Sequence, residues 1–152
     1  MRIGNADLTG TIPPELGRLP YLKELTLSNN RLSGPIPSEI GRMKLLEVLQ
    51  LDRNNFTGIL PSTISHCAQL RRLDVSQNKL SGPLPNGIFD TITLKEAWFS
   101  MNALNGSIPA FFNTNITSRK CFLVKTDFQY YKMCTNTSHD MCYPSVFSSL
   151  KS

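Results

Sequence analysis

Apolar residues recur along this chain with a period of 24 residues, and the register continues without a gap through most of the sequence. One column of apolar residues contains Leu8, Leu32, Phe56, Leu80 and Leu104. Further columns contain Ile3, Leu27, Leu51, Val75 and Phe99; Gly10, Gly34, Gly58, Gly82 and Gly106; and Pro13, Pro37, Pro61, Pro85 and Pro109. Such a repeat predicts similar turns stacked in a linear array, in which each turn contacts its neighbours.

Each turn contains the alternation that is typical of a half-buried strand. In Leu25-Thr26-Leu27 the two leucines are predicted to point inward and the threonine outward. Strands that repeat once per turn form a parallel ladder with a spacing of ~4.8 Å. The pattern therefore predicts one sheet along the array, with an apolar inward side and an outward side whose residues vary from turn to turn.

The polar and turn-forming columns have structural explanations of their own. An inward carboxamide after each strand can satisfy backbone groups that are otherwise buried without a partner. Glycine allows a positive φ, and proline fixes φ and leads into a short helical or 3₁₀ turn. The asparagines of this column are Asn30, Asn54, Asn78 and Asn102. We assign them no ligand role.

The repeat unit reads L-x-x-L-x-L-x-x-N-x-L-x-G-x-I-P-x-x-L-G-x-L-x-x and is seen most clearly from Leu22 to Leu45. Its first eleven positions are the leucine-rich-repeat signature. Over about residues 1–117 the chain resembles the plant-type subclass found in receptor-like kinases, receptor-like proteins and polygalacturonase inhibitors. The resemblance implies an α/β solenoid: a right-handed superhelix of about five 24-residue turns, with a parallel strand ladder on the concave face. It also implies a second, narrow sheet at the G-x-I-P segment.

The two ends of the array depart from the repeat. Residues 1–117 are assigned to the repeats, with an incomplete first turn and without the paired-cysteine cap usual in this family. We interpret this start as a fragment of a longer array, an incomplete gene model or an end that a partner covers. Residues 118–144 are predicted to form a degenerate half-repeat and a cysteine-containing cap, in which Cys121 continues the column of Leu73. Residues 145–152 are expected to be a frayed tail.

Three of the four cysteines lie in the predicted cap. Loop length favours a disulfide between Cys134 and Cys142, with a bond from either of them to Cys121 as the alternative. Cys134, His139 and Cys142 could also be zinc ligands, but a structural site needs four and only Cys121 could complete it. A disulfide cap explains the same residues, so zinc is disfavoured. Cys67 falls in the column of Leu19 and Met43 and is expected to be a small buried hydrophobe. We expect no metal and no cofactor.

Charge and composition exclude several classes of protein. The net charge is +5, but the basic residues are spread along the chain with no run longer than a pair, which disfavours nucleic acid as a partner. No apolar stretch approaches the ~20 residues of a membrane-spanning helix, and no signal peptide precedes the first repeat. Four sequons favour an extracellular or cell-surface protein, with glycosylation predicted at Asn55, Asn105, Asn115 and Asn136.

An enzyme is also disfavoured. Paired carboxylates catalyse glycoside hydrolysis only when they converge on one pocket. Carboxylates do project from the predicted ladder, but an open sheet provides no desolvated cleft that would shift their pKa values; they are Glu24, Asp52, Asp74 and Glu96. We therefore predict a binding protein.

The outward strand positions form the surface whose residues have no structural role in the repeat. Trp98 is the strongest candidate there, because an outward tryptophan is the residue type most enriched at binding hot spots. The centre of the face mixes charges that could form a polar network or accept a charged group. The predicted ligand-binding face comprises Glu24, Thr26, Ser28, Val48, Gln50, Asp52, Arg53, Arg72, Asp74, Ser76, Glu96, Trp98 and Ser100.

The resemblance and this face together predict a recognition module for a protein or peptide, similar to a receptor-like protein ectodomain, with a co-receptor as a further candidate partner. Two alternatives stay open. One is a secreted inhibitor or cell-wall-associated binder of the polygalacturonase-inhibitor type. The other is a non-autonomous fragment of a longer receptor.

Overall fold

In a computed structural model of the chain, residues 1–88 and 93–105 are described in full, together with the backbone of residues 120–125 and 130–135. The main sheet consists of β2 (Glu24–Thr26), β4 (Val48–Gln50), β6 (Arg72–Asp74), β8 (Glu96–Trp98), β10 (Lys120–Lys125) and β11 (Tyr130–Thr135). A second sheet consists of β1 (Thr9–Gly10), β3 (Arg31–Pro35), β5 (Asn55–Gly58), β7 (Lys79–Gly82) and β9 (Ala103–Leu104). Within the described residues, 3₁₀ helices span Pro14–Arg18, Ser38–Arg42 and Ser62–His66.

The main sheet confirms the predicted ladder. Strands β2, β4, β6 and β8 pair in parallel, and each residue lies beside the residue 24 positions later. The central residue of each strand points inward and is fully buried, with an exposed fraction of 0% for Leu25, Leu49, Leu73 and Ala97. The residues on either side of it point outward. The two-residue alternation read from the sequence is therefore the alternation of the sheet.

The second sheet begins slightly earlier in the repeat than the resemblance implied. Its strands lie mainly on the segment between the buried asparagine and the glycine, and only β3 continues to the residue after its glycine, Pro35. Gly34, Gly58 and Gly82 adopt φ values of +74°, +76° and +76° within or at the end of these strands. The glycine column therefore supplies the predicted positive φ while it still contributes to sheet pairing.

The buried asparagines join each turn to the one before it. The side-chain amide of Asn54 donates to the carbonyl of Leu27 at 2.9 Å and to that of Leu51 at 3.2 Å, and its oxygen accepts from the amide of Leu32 at 3.1 Å. Asn78 makes the equivalent bonds one turn later, including those to Leu51 and Phe56. The structure thus confirms that this column satisfies backbone groups.

The 3₁₀ helices stack on the opposite side of the array, and each follows one of the repeated prolines. Their close approach requires glycine. A Cβ atom added to Gly41 would lie 2.3 Å from the carbonyl oxygen of Thr63 in the next helix, and Gly17 has the same relationship to Glu39. The second glycine of the repeat is therefore a packing residue and does not serve as a turn residue.

Strand β10 corrects the predicted register at the end of the array. Cys121 was expected beside Ala97, in the column of Leu73, but the pairing places Val124 opposite Ala97. The column therefore slips by three residues, because this segment lacks the asparagine and glycine that fix the register of earlier turns. Strand β11 pairs with β10 in the antiparallel direction and ends the parallel ladder, with Cys134 opposite Cys121.

One continuous apolar core runs from Ile12 to Phe99 between the two sheets and the helices. Cys67 belongs to it, as predicted: it is 0% exposed, and its thiol donates to the carbonyl of Ile40 at 3.3 Å. Burial raises the pKa of the Cys67 thiol to about 11, so the thiol stays protonated at neutral pH. In the part of the chain that the structure describes, no helix is long and apolar enough to cross a bilayer.

Replacement of the Asn54 carboxamide should test the asparagine column. We expect Asn54→Ala to lower the free energy of unfolding by about 3 kcal/mol, because it leaves buried carbonyl and amide groups without partners. The measurement is chemical denaturation, with the exposed Asn86→Ala as the matched control, for which a change within about 0.5 kcal/mol is expected. Equal losses in the two variants would contradict the role assigned to Asn54.

Substitution of Gly41 should test the packing of the 3₁₀ helices. We expect Gly41→Ala to cost about 1–3 kcal/mol, because the new methyl group overlaps backbone of the next turn, which cannot rotate away. Gly10→Ala is the comparison, since φ is +93° there but no atom lies within 4 Å of the added Cβ. A smaller loss for Gly41→Ala than for Gly10→Ala, measured by thermal unfolding, would show that the helices do not constrain the array.

Candidate ligand-binding face

The outward side chains of the main sheet form rows that run from turn to turn. Parallel pairing sets Val48 beside Arg72 and Arg72 beside Glu96 in one row, and Gln50 beside Asp74 and Asp74 beside Trp98 in the next. Residues of one row are separated by the strand spacing of ~4.8 Å, which is short enough for direct contact. The face is therefore a connected surface whose chemistry changes along the array.

Arg72, Glu96 and Trp98 form a cluster on β6 and β8, beside strand β10. The Nε atom of Arg72 donates to Oε2 of Glu96 at 2.7 Å, and its guanidinium carbon lies 5.8 Å from the centre of the Trp98 ring. Both side chains of the ion pair are partly exposed, so the pair contributes at most about 1 kcal/mol to stability. Its main effect is to hold Arg72 over the half-buried indole, which leaves a defined, partly apolar platform.

Two carboxylates lie in the middle of the face without an ion-pair partner among the described residues. The Oγ atom of Ser28 donates to Asp52, and both the amide and the hydroxyl of Ser76 donate to Asp74, at 3.0 and 2.6 Å. Burial raises the pKa of Asp74 above its ordinary value, and the nearby charge of Asp52 also raises it, whereas the hydrogen bonds from Ser76 and the charge of Arg53 oppose the rise. Ionisation of Asp74 is therefore less favourable in the folded chain than in water.

The end of the face at strand β2 is closed by a bidentate ion pair. The guanidinium of Arg2 donates to both carboxylate oxygens of Glu24, at 2.6 and 2.7 Å. This hydrogen bonding holds the pKa of Glu24 below its ordinary value. The hydroxyl of Thr26 connects Glu24 to Gln50, at 3.2 Å to each. The polar groups of these residues are paired with one another. We therefore interpret them as a structural border of the face.

Sequence reasoning missed a column of left-handed backbone at the edge of this face. Asn5, Asn29, Arg53, Gln77 and Met101 adopt φ values of 54°, 56°, 53°, 54° and 56°. Asparagine tolerates this conformation well, whereas arginine, glutamine and methionine adopt it at a cost of about 1 kcal/mol or more. The two asparagines were the available signal, since asparagine is enriched at positive φ. Arg53 is exposed here and has no ion pair within the described residues.

The remaining predicted site residues divide into three groups. Ser76 and Ser100 lie in the predicted column but are only 9% and 8% exposed, so they offer little surface to a ligand. Asn55 is half-buried in β5, whereas Asn105 is exposed, and glycosylation at either stays a prediction. Three predicted residues lie outside the described residues: Asn115, Asn136 and Cys142. Among residues 1–88 and 93–105, no group of three metal-ligating side chains was found.

Comparisons with known proteins match this geometry. A family profile described as leucine rich repeat matches residues 20–80. The chain is similar to the ectodomain of the receptor kinase SOBIR1 from Arabidopsis thaliana, with 38% identity and a TM-score of 0.72 over 84% of this chain and 68% of that one. No curated protein sequence matches the chain significantly.

Two complexes of plant receptors are similar as well. For the BIR3–SERK2 complex from Arabidopsis thaliana the identity is 36% and the TM-score 0.69, over 72% of this chain and 59% of that one. For the Arabidopsis receptor kinase HAESA in complex with the peptide hormone IDA and the co-receptor SERK1, the values are 33% and 0.70, over 82% and 21%. The chain therefore spans less than two thirds of the length of both of these matched chains.

The strain at Asp74 should appear in the pH dependence of stability. Because burial favours the protonated carboxyl, the folded chain keeps this proton to a higher pH than the unfolded chain does. The ordinary pKa of this carboxyl group is 3.8, and its pKa in the folded chain is higher. Asp74 therefore lowers the stability of the fold as the pH rises through the interval between these two pKa values. Asp74→Asn retains an oxygen acceptor for Ser76, so we expect its stability relative to the parent chain to increase from acidic to neutral pH.

The measurement is the urea midpoint of both chains at a series of pH values. Glu15→Gln, at an exposed position on the opposite side, changes the net charge equally and should show no such trend. If Asp74→Asn loses stability relative to the parent as the pH rises, the ionised form of Asp74 stabilises the fold and the argument from burial is wrong.

Proposed function

Because this chain belongs to the leucine-rich-repeat family of plant receptor-kinase ectodomains, we propose that it is an extracellular recognition module that binds a peptide or protein ligand on the outward face of its main sheet. Proteins of this family are binding modules. The chemistry proposed for this chain is accordingly non-covalent recognition. The ligand would lie across the two rows Val48–Arg72–Glu96 and Gln50–Asp74–Trp98.

The observation that supports this proposal is the Arg72–Glu96–Trp98 cluster. A half-exposed indole with a guanidinium held 5.8 Å from its centre provides an apolar anchor and a charged rim in one place. Tryptophan and arginine are the residue types that most often dominate binding energy at interfaces. Here both are oriented by the sheet before a ligand arrives, so little side-chain entropy is lost on binding.

The middle of the face would select the polar part of a ligand. Asp52 and Asp74 have acceptor capacity left beyond their serine partners, and exposed Arg53 can pair with an acidic group. A ligand in an extended conformation would therefore place an apolar side chain on Trp98 and polar groups over the central strands. This arrangement needs no movement inside the array.

The same rigidity bears on how a bound ligand could be reported. Each turn contacts its neighbours, so a local contact has no distant element to displace. We propose that signalling from such a module would arise when a second chain contacts the same ligand. The structure of a similar protein, HAESA, contains the receptor kinase in complex with a peptide hormone and a co-receptor.

Two covalent features belong to the proposal. Exposed Asn105 is the better glycan acceptor of the two described sequons, because Asn55 lies half-buried in a paired strand. In the β10–β11 hairpin Cys121 is the cross-strand neighbour of Cys134. That register favours a Cys121–Cys134 disulfide over the Cys134–Cys142 bond that loop length had favoured. Peptide mapping without reduction distinguishes the two bonds.

The direct test is selection of peptides from a phage-displayed random library on the purified chain, followed by calorimetry with the most enriched peptide. We expect Trp98→Ala to weaken binding at least about tenfold, because truncation removes the apolar anchor. Lys79→Ala, at an exposed position on the second sheet, is the matched control and should leave the affinity unchanged. An enriched peptide whose affinity is insensitive to Trp98→Ala would place the binding site elsewhere.

A further inference from the structure

The connections that lead from each 3₁₀ helix into the next main-sheet strand carry a concentrated positive charge. We call residues 18–23, 42–47, 66–71 and 93–95 the basic flank. It contains one carboxylate, Glu47, and six cationic side chains, all exposed: Arg18, Lys23, Arg42, Lys44, Arg71 and Lys95. The remainder of residues 1–88 and 93–105 contains five cationic and seven acidic side chains. The positive charge of the described chain is therefore localised on one side of the array.

The turns of the basic flank are joined directly. The backbone amides of Glu47, Arg71 and Lys95 donate to the carbonyls of Lys23, Glu47 and Arg71, at 2.7, 2.8 and 2.8 Å. The ammonium group of Lys44 reaches the next turn and donates to the carbonyl of His66 at 3.2 Å. Residues separated by 24 positions in sequence are thus neighbours at the strand spacing of ~4.8 Å. The charges form one continuous surface.

Half of the six cations of the basic flank have no structural partner among the described residues. Arg18, Arg42 and Lys95 make no ion pair or side-chain hydrogen bond within the described part of the chain. The carboxylate of Glu47 lies 3.9 Å from Nζ of Lys23 and 3.7 Å from Nε of Arg71. This single negative charge offsets only part of the positive charge of the flank. Repulsion between like charges opposes folding, so such clustering is not explained by stability.

Exposed apolar residues lie within the same surface. Tyr21 is 84% exposed and Leu45 is 39% exposed, and they occupy one column of the repeat. The next residue of that column, Gln69, is exposed too, so the column is external along the array. Tyrosine and arginine beside each other are typical of the protein surfaces that bind other proteins.

We propose that the basic flank is a second interaction surface, which binds an acidic segment of a partner protein whose apolar side chains contact Tyr21 and Leu45. The site is separate from the main-sheet face and does not depend on the ligand proposed there. A uniform polyanion such as an acidic polysaccharide fits less well, because it would meet the carboxylate of Glu47 within the row and would leave Leu45 without an apolar contact.

The probe for this surface is a fluorescein-labelled random copolymer of glutamate and tyrosine, titrated with the full chain and followed by fluorescence anisotropy. We expect saturable binding that weakens as salt is raised. Arg42→Glu with Lys95→Glu should weaken it by about tenfold or more. Arg31→Glu with Lys79→Glu makes the same change in net charge away from the flank and should have little effect. Circular dichroism checks that both double variants are folded.

Each other outcome overturns the proposal. Equal losses in the two double variants would show that binding follows net charge alone. Tighter binding of polygalacturonate than of the copolymer, at equal carboxylate concentration, would assign the surface to an acidic sugar polymer. Absence of binding would show that the flank does not recognise acidic polypeptide. Trp98→Ala, which tests the main-sheet face, should leave copolymer binding unchanged, so the two proposals can fail separately.

Discussion

The hydrogen bonds of the buried asparagine in each turn are the interaction on which the rest of the structure depends. The bend after each main-sheet strand turns carbonyl and amide groups into an apolar interior, where they would be costly without partners. A carboxamide has both donors and an acceptor, and Asn54 uses them on two consecutive turns. This pairing fixes the register between turns, which in turn decides which strand residues are buried and which face outward.

A fixed register separates structural from functional positions almost completely. Inward residues such as Leu49 and Leu73 must fill a core of constant width, whereas the neighbour Arg72 lies outward beside the residues of adjacent strands. Side chains of the outward rows can therefore be exchanged without altering the array. Their specificity lies in combinations along a row, such as a guanidinium placed beside an indole, and in the charge that each row accumulates.

Much of the fold could be predicted from the sequence because the same pattern of residues recurs every 24 positions, so each turn confirms the assignment made for the others. The strands, the asparagine column and the buried state of Cys67 follow from it. Strand β10 was misplaced because a single degenerate turn offers no second copy against which to check its register. Residues such as Arg71 and Lys95 looked dispersed because their adjacency exists only after the chain is wound into turns. Burial of Ser76 depends on its neighbours and has no signal in the column itself.

At the left-handed positions beside the main sheet, the residue that is best for backbone stability differs from the residue that is best for reaching a ligand. Asparagine, as at Asn29, relieves the backbone there, but its short side chain reaches little beyond the sheet. Arg53 and Met101 carry larger side chains into solvent at the expense of conformational strain. A sequence optimised only for thermal endurance would converge on asparagine or glycine in every turn. The present chain instead has different side chains at these left-handed positions. A more stable chain with only asparagine or glycine there would present no distinctive side chains at this edge of the sheet.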